Sequence, residues 1–312
     1  MIVVLTGGTG GAKFVAGLAA VLPARELTVI VNTGDDLTWW GLHVSPDLDS
    51  ITYALAGMLS RERGWGVEGD TFQCLDAMRR MGAPAWFQLG DRDLATHLRR
   101  TELLSKNKTL SEATAAIARA LGVETRILPM SDERVETRVI TADGELSFQE
   151  YFVRERYRVA VGGVRFEGAE RARPAPGVLE AIARAEAVVI APSNPITSIG
   201  PILALPGIHE ALQQTKAPVA TISPIIGGAA VSGPAGELMQ TQGLPVSVAG
   251  VARCYADFLD LLIADEQDSA LGRRVEGIAV RYASTVMKSE ADKTALARSV
   301  LGFLRPVEAA VS

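Results

Sequence analysis

The sequence predicts an α/β protein: a Rossmann-like parallel sheet flanked by helices, carrying a small β-rich insertion. Three observations carry that expectation. The apolar, β-branched run Ile2 to Leu5 stops at a glycine string, is followed by Phe14, Leu18, Val21 and Leu22 at helical spacing, and gives way to a second apolar run, Leu27 to Val31. Strand, glycine turn, helix and strand in that order make a parallel, right-handed unit. Two later apolar runs, Ala187 to Ala191 and Val219 to Ile222, also end in Ser-, Pro- or Gly-rich loops. Finally, residues 135–141 and 145–148 alternate apolar and polar around Asp143-Gly144, which is a hairpin signal.

Taken in order, the chain divides as follows. After the opening unit, residues 32–49 form a polar loop with Asp35, Asp36, Asp47 and Asp49. Helical patterns are expected at about 50–60, 70–81, 92–104 and 109–121, separated by turns such as Gly64-Trp65-Gly66 and Gly82-Ala83-Pro84. Residues 126–166 form the β-rich insertion. The remaining segments, 1–125 and 167–312, form the core, with a helix starting near Ile199 and a last one at about 290–303. Loops beyond the carboxyl ends of parallel strands line the ligand crevice of such folds.

Composition narrows the class. Lys and Arg number 31 against 36 Asp and Glu, a net charge of −5, which argues against a nucleic-acid coat. A locally positive pocket for a small anion remains compatible with it. Cys74 and Cys254 are far apart and form no CxxC, so they read as free thiols. The chain opens Met1-Ile2-Val3-Val4-Leu5 with no basic segment before an apolar one, and no stretch approaches the roughly 18 apolar residues of a membrane span. The expectation is a cytoplasmic protein with neither nucleic-acid nor membrane partners.

Five segments could carry chemistry. In Thr6-Gly7-Gly8-Thr9-Gly10-Gly11-Ala12-Lys13, glycines let the backbone approach a phosphate at a helix start, and Lys13 adds charge. The string is neither a Walker A nor a GxGxxG motif, and a tight turn without ligand has the same appearance. Hard oxygen ligands such as Asp36, Asp47 and Asp49 suit Mg²⁺, or could orient a hydroxyl; alternatively Asp49 caps a helix starting at Ser50. Arg92, in Gly90-Asp91-Arg92-Asp93, stands at a helix start against the dipole preference, as it would if facing an anion, or it is an incidental surface residue. His97 is one of three histidines and reads as structural. Ser193-Asn194-Pro195-Ile196-Thr197-Ser198 offers a neutral cradle for a phosphate or sugar, or ordinary capping by Ser198. Ser223-Pro224-Ile225-Ile226-Gly227-Gly228 is a weaker version of it.

Six ordered strings, TGGTGGAKF (6–14), NTGDD (32–36), GLHVSPDLDSITYAL (41–55), WFQLGDRDLATHL (86–98), APSNPITSIGPILALPGI (191–208) and SPIIGG (223–228), resemble the 2-phospho-L-lactate transferase family of the CofD and FbiA type. The resemblance runs from Thr6 to about Ile263. It implies a Mg²⁺-dependent, typically dimeric enzyme of coenzyme F-420 biosynthesis. Such an enzyme joins a guanylyl-activated 2-phospholactate, or its phosphoenolpyruvate counterpart, to the deazaflavin alcohol Fo, and GMP leaves. On that resemblance Asp49, with Asp36 or Asp47, places Mg²⁺ and the hydroxyl, and Arg92 holds phosphate or Fo. Gly8 to Gly11 hold the diphosphate and Ser193 to Ser198 the donor. Two other readings share some of these features. One is a related nucleotide-sugar-binding regulator without transferase activity. The other is an NAD(P)-dependent oxidoreductase, disfavoured because Asn32 follows the second strand where a ribose-binding carboxylate is expected.

Overall fold

The computed structural model describes residues 1–304; the end of the expected core segment, 305–312, lies outside the described residues. In chain order the first part comprises β1 (Ile2–Thr6), α1 (Gly8–Ala19), β2 (Leu27–Val31), a short hairpin of β3 (Leu37–Trp39) and β4 (Leu42–Val44), then α2 (Pro46–Leu55), α3 (Gln73–Arg80), α4 (Asp91–Ser105), α5 (Leu110–Ala120) and β5 (Arg126–Pro129). An outlying antiparallel sheet follows, of β6 (Glu136–Thr141), β7 (Gly144–Ser147) and β8 (Val161–Glu167). The chain returns through α6 (Val178–Ala183), β9 (Ala187–Ile190), α7 (Gly200–Leu203), α8 (Ile208–Gln214) and β10 (Val219–Ile222). It ends with the two-residue strands β11 (Ile225–Ile226) and β12 (Ala229–Ala230), α9 (Ala235–Thr241), α10 (Val248–Cys254), β13 (Leu261–Asp265), β14 (Arg274–Val275), β15 (Ile278–Ala283) and α11 (Glu290–Leu304).

The eight-stranded sheet runs β14-β15-β13-β10-β9-β1-β2-β5. Its pairings are parallel except the edge pair β14–β15. The chain leaves β1 outward through β2 to β5, then crosses back to place β9 on the other side of β1. The order therefore reverses at β1, and a topological switch point of this kind opens a crevice beyond the strand ends.

Alternation along each strand fills both layers. Val3 and Leu5 pack with Val188, Ile190, Ile202 and Ile208 on one face. Val4 packs with Phe14, Leu18, Val189 and Leu296 on the other. Burial on both faces is why these strands read as unbroken apolar runs. Gly17 lets α11 approach α1, because a Cβ there would run into the Lys293 carbonyl.

The α/β class holds, with three adjustments. Residues 126–129 are not part of the insertion: β5 pairs in parallel with β2 as an edge strand, because Ile127 and Leu128 are buried in the main core. Helix α2 starts at Pro46 rather than Ser50, since a proline at the first helical position gives up an N–H that would be unpaired anyway. Asp49 is thus inside the first turn and does not cap. In the turn after β9, Asn194 is the cap, accepting from the Ile196 and Thr197 amides, whereas Ser198 lies within the turn. Among the described residues no helix is long and apolar enough to cross a membrane.

The glycines of α1 have separate duties. Gly8 stands at φ +67°, in the left-handed region that favours glycine. A Cβ on Gly10 would come within 2.6 Å of the Pro192 carbonyl oxygen, and one on Gly11 would overlap Thr6 Oγ1. The helix thereby lies against the turn after β9. Gly10→Ala is expected to lower unfolding stability by about 1–3 kcal/mol despite alanine's better helix propensity, because a backbone carbonyl cannot move aside; urea denaturation measures it.

Candidate active site

Three loops meet over the switch point: the start of α1 after β1, the 32–36 loop after β2, and the turn after β9. Ser193 ties the first to the third. Its hydroxyl donates to the Gly7 carbonyl at 2.7 Å and lies 3.3 Å from the Gly7 amide. Asn32 ties the second to the third and to α2. Its Nδ2 donates to Asp47 Oδ2 (3.0 Å) and to the Thr197 carbonyl (3.3 Å), while its Oδ1 accepts from Gly34 N (2.8 Å). Around that hub, Ser198 Oγ lies beside Gly8, Thr9 and Lys13 are half-buried along α1, and Pro195 is buried at the base of the turn.

The acidic loop folds inward. Asp35, Asp47 and Asp49 are buried and Asp36 nearly so. Asp47 accepts from the Gly8 amide at 2.7 Å, so its carboxylate sits at the start of α1, where the helix dipole favours an anion. Asp36 Oδ2 accepts from Ser45 Oγ (2.6 Å) and lies 3.0 Å from His43 Nε2. The other oxygen of Asp36, and Oδ1 of Asp35, are buried without a hydrogen-bond partner.

Removal from water dominates the electrostatics. Burial pushes Asp47 up to about 6, with the charges of Asp36 and Asp49 adding to it and the bonds from Asn32 and Gly8 opposing. Burial, then the charge of Asp47, raises Asp35 well above the ordinary carboxylate range. Burial raises Asp36 as well, against the pull of His43. Three crowded carboxylates with two unpaired oxygens are short of positive charge. That donor set fits a small hard cation held by carboxylates. Among the described residues, however, no three such groups converge closely enough to enclose an ion as they stand.

Asp49 is placed differently from its neighbours. Both its oxygens accept from the buried guanidinium of Arg100. Behind that pair, His97 Nε2 lies 3.2 Å from Asp93 Oδ1, which also accepts from the Tyr53 hydroxyl at 2.7 Å. Burial alone would raise Asp93, yet His97, Tyr53 and Arg100 together hold it below its usual value. The structure does not bring Arg92 to this cluster. Its side chain is exposed, and Nη1 donates to the Glu68 carbonyl at 2.9 Å. The arginine that meets the aspartates is two turns along the same helix. Sequence reasoning missed it, together with the parts played by Asn32, His43 and Ser45. The available signal was a buried polar face on α4: Asp93, His97 and Arg100 fall at i, i+4 and i+7.

The sign of the pH dependence follows from Asp47. A carboxylate raised by folding stabilises the fold while protonated, and that contribution is lost as pH rises through its folded value. Between the ordinary carboxylate value of about 4 and the folded value of about 6, the metal-free protein is expected to lose stability as pH rises. Asp47→Asn should flatten that segment of the Tm–pH curve in differential scanning calorimetry.

The chain matches the family model described as 2-phospho-L-lactate transferase CofD over residues 2–299. It is 44% identical to the 2-phospho-L-lactate transferase of Methanosarcina acetivorans, over 98% of this chain and 99% of that protein. The 2-phospho-L-lactate transferase of Methanothermobacter thermautotrophicus is likewise 44% identical, covering 97% of each chain. A phosphoenolpyruvate transferase of Streptomyces griseus is 45% identical over 99% of both. Among solved structures, a UPF0052 family member from Bacillus halodurans superposes with a TM-score of 0.64 at 18% identity, covering 96% of this chain and 98% of that one. This last likeness concerns the fold alone. The match along nearly the whole chain bears out the resemblance of the six strings: the chain belongs to the 2-phospho-L-lactate transferase CofD family, a family of transferases.

Proposed function

We propose that the protein transfers a phospholactyl or phosphoenolpyruvyl group from a guanylyl diphosphate donor to the hydroxyl of the deazaflavin alcohol Fo, releasing GMP, as a Mg²⁺-dependent cytoplasmic homodimer in coenzyme F-420 biosynthesis. The observation that carries this reading is the meeting of a helix start, a Ser/Asn/Thr turn and a charge-deficient acidic loop at one switch point. It does so in a chain 44–45% identical to relatives named for one or other of these two transfers.

Phosphoryl transfer asks for positioning and charge neutralisation more than for covalent catalysis. The Thr9 amide, next to the Gly8 amide that Asp47 occupies, would hold the diphosphate with Ser198 Oγ alongside, and Lys13 would add charge. Ser193 and Asn194 would keep the turn after β9 against that cradle, as their bonds to Gly7 and to the turn's own amides do here. Asp35, Asp36 and Asp47 would hold Mg²⁺, which supplies neutralisation of the charge on the transferring group. Asp36, with His43 beside it, is the carboxylate best placed to orient the attacking hydroxyl. Arg92 remains available to an incoming ligand only at the rim. Trp39, Trp40, Trp86 and Phe87 cluster on and beside the β3–β4 hairpin that follows Asp36, with Trp39 and Trp86 rings 4.7 Å apart. Their faces offer a flat acceptor ring an apolar neighbour.

Incubation with Fo, Mg²⁺ and each guanylyl donor, read by mass spectrometry, is expected to give a Fo–phosphate–acid product and GMP. Absence of product from every donor would overturn the reading in favour of a nucleotide-binding regulator. Asp36→Asn is expected to lower kcat by about 100-fold while leaving the thermal unfolding profile nearly intact; unchanged turnover would remove Asp36 from the machinery.

A further inference from the structure

The geometry points to Arg100 as a positioning residue for the transfer reaction: it locks together the two elements that carry Asp47 and Asp36, without itself touching substrate or metal. This inference rests on the reading given under Proposed function. Asp47 belongs to α2, and Asp36 leads into the β3–β4 hairpin. Neither element is part of the large sheet; the bonds of Asp47 to Gly8 and Asn32 and of Ser45 to Asp36 hold them from the crevice side.

Helix α4 does so from behind. Arg100 donates through its fork to both oxygens of Asp49, two residues, about half a turn, from Asp47 on α2. The same guanidinium reaches the His43 carbonyl on β4 at 3.5 Å. The next residue, Thr101, accepts the His43 amide in its hydroxyl at 2.8 Å. The backbone of His43 is therefore held on both sides by consecutive residues of one helix. Its ring then stands 3.0 Å from Asp36 Oδ2 and 3.2 Å from Ser45 Oγ. Contacts thus run from Arg100 through His43 to Asp36, while the link to Asp47 is the backbone of α2 between it and Asp49.

The energetics favour a role in geometry over one in stability. Arg100 is 2% exposed and leads the fully buried side chains in size. Its Nε–H has no hydrogen-bond partner. A buried ion pair with an unpaired donor is no better for stability than apolar side chains of the same volume. What an apolar replacement lacks is the planar fork that addresses Asp49 and His43 together. Lysine, a single point donor, lacks it as well. Asp49 has each of its oxygens engaged by Arg100, which sets it apart from the other three aspartates.

The test separates metal binding from donor binding. Mn²⁺ affinity by electron paramagnetic resonance, GDP affinity by calorimetry without metal, and steady-state kinetics are compared for the wild type, Arg100→Met and Arg100→Lys. Arg100 makes no contact with the α1 cradle, which it reaches only through Asp47 on α2, so GDP affinity and donor KM are expected to change far less than Mn²⁺ affinity. Mn²⁺ affinity and kcat are expected to fall by about tenfold or more in Arg100→Met and by less in Arg100→Lys. Wild-type Mn²⁺ affinity and kcat in a folded Arg100→Met protein would overturn the inference. So would parallel loss of GDP and Mn²⁺ binding, which marks a merely structural residue. If Arg100→Met does not fold, Arg100→Lys carries the same comparison. A wild type that binds Mn²⁺ yet transfers nothing would sink the proposed function and confine the role of Arg100 to the cation site, read from the Mn²⁺ affinities alone.

Discussion

The withdrawal of four aspartates from water is the constraint around which this molecule is arranged. A carboxylate gives up strong hydration when buried, and it stays charged only with partners. Here the partners are divided unequally. Asp49 receives a whole guanidinium. Asp47 receives one amide and one side-chain amide. Asp36 receives a hydroxyl and an imidazole on one oxygen, leaving the other bare. The gradient in compensation, complete at the back and incomplete toward the crevice, gives the site a direction.

The sheet makes that arrangement possible. Because the strand order reverses at β1, the loops after β1, β2 and β9 emerge side by side, although their residues are separated by up to 187 positions in the chain. The close approach then depends on small residues. A Cβ on Gly7 would come within 2.5 Å of Asp47 Oδ2 and 2.9 Å of Ser198 Cβ. Glycine there lets acid, amide and hydroxyl share a space no larger than one side chain. The glycine string therefore serves two ends that its sequence does not distinguish: Gly8 shapes the cradle, whereas Gly10 and Gly11 admit the neighbouring turn.

What could be read from the sequence follows from how locally each feature is encoded. The opening β-α-β unit, the strands at 187–190 and 219–222, and the hairpin around Asp143-Gly144 all declare themselves within a few residues. The edge strand β5 does not, because Arg126-Ile127-Leu128-Pro129 is short and adjoins the alternating segment. The strands β13 and β15 likewise escaped notice, lying where no recognised string marks the chain. In the site, the aspartates, the glycines and the Ser193–Ser198 turn were legible as residue types in loops. Which arginine they meet was not. Arg92 and Arg100 share one helix, and only the packing of α4 under the β3–β4 hairpin selects the second. Asn32 was hidden for a similar reason: two of its side-chain bonds reach residues 15 and 165 positions away.

The outlying β6–β8 sheet has a bearing on how members of this family diverge. Thr137 on β6 donates its amide to the Gly34 carbonyl at 2.7 Å, and Gln149 donates to the Asp35 carbonyl at 3.4 Å. The appended sheet is thus a wall of the acidic loop, mortised into its backbone rather than its side chains. Backbone bonds constrain where a loop runs but not which residues it displays. Apart from Asp35, Asp36 and Gln149, side chains in 33–37 and 137–149 can therefore change in identity while the loop keeps its course. Insertions or deletions in either segment have no such freedom, and hybrids between relatives must exchange the two stretches as one block.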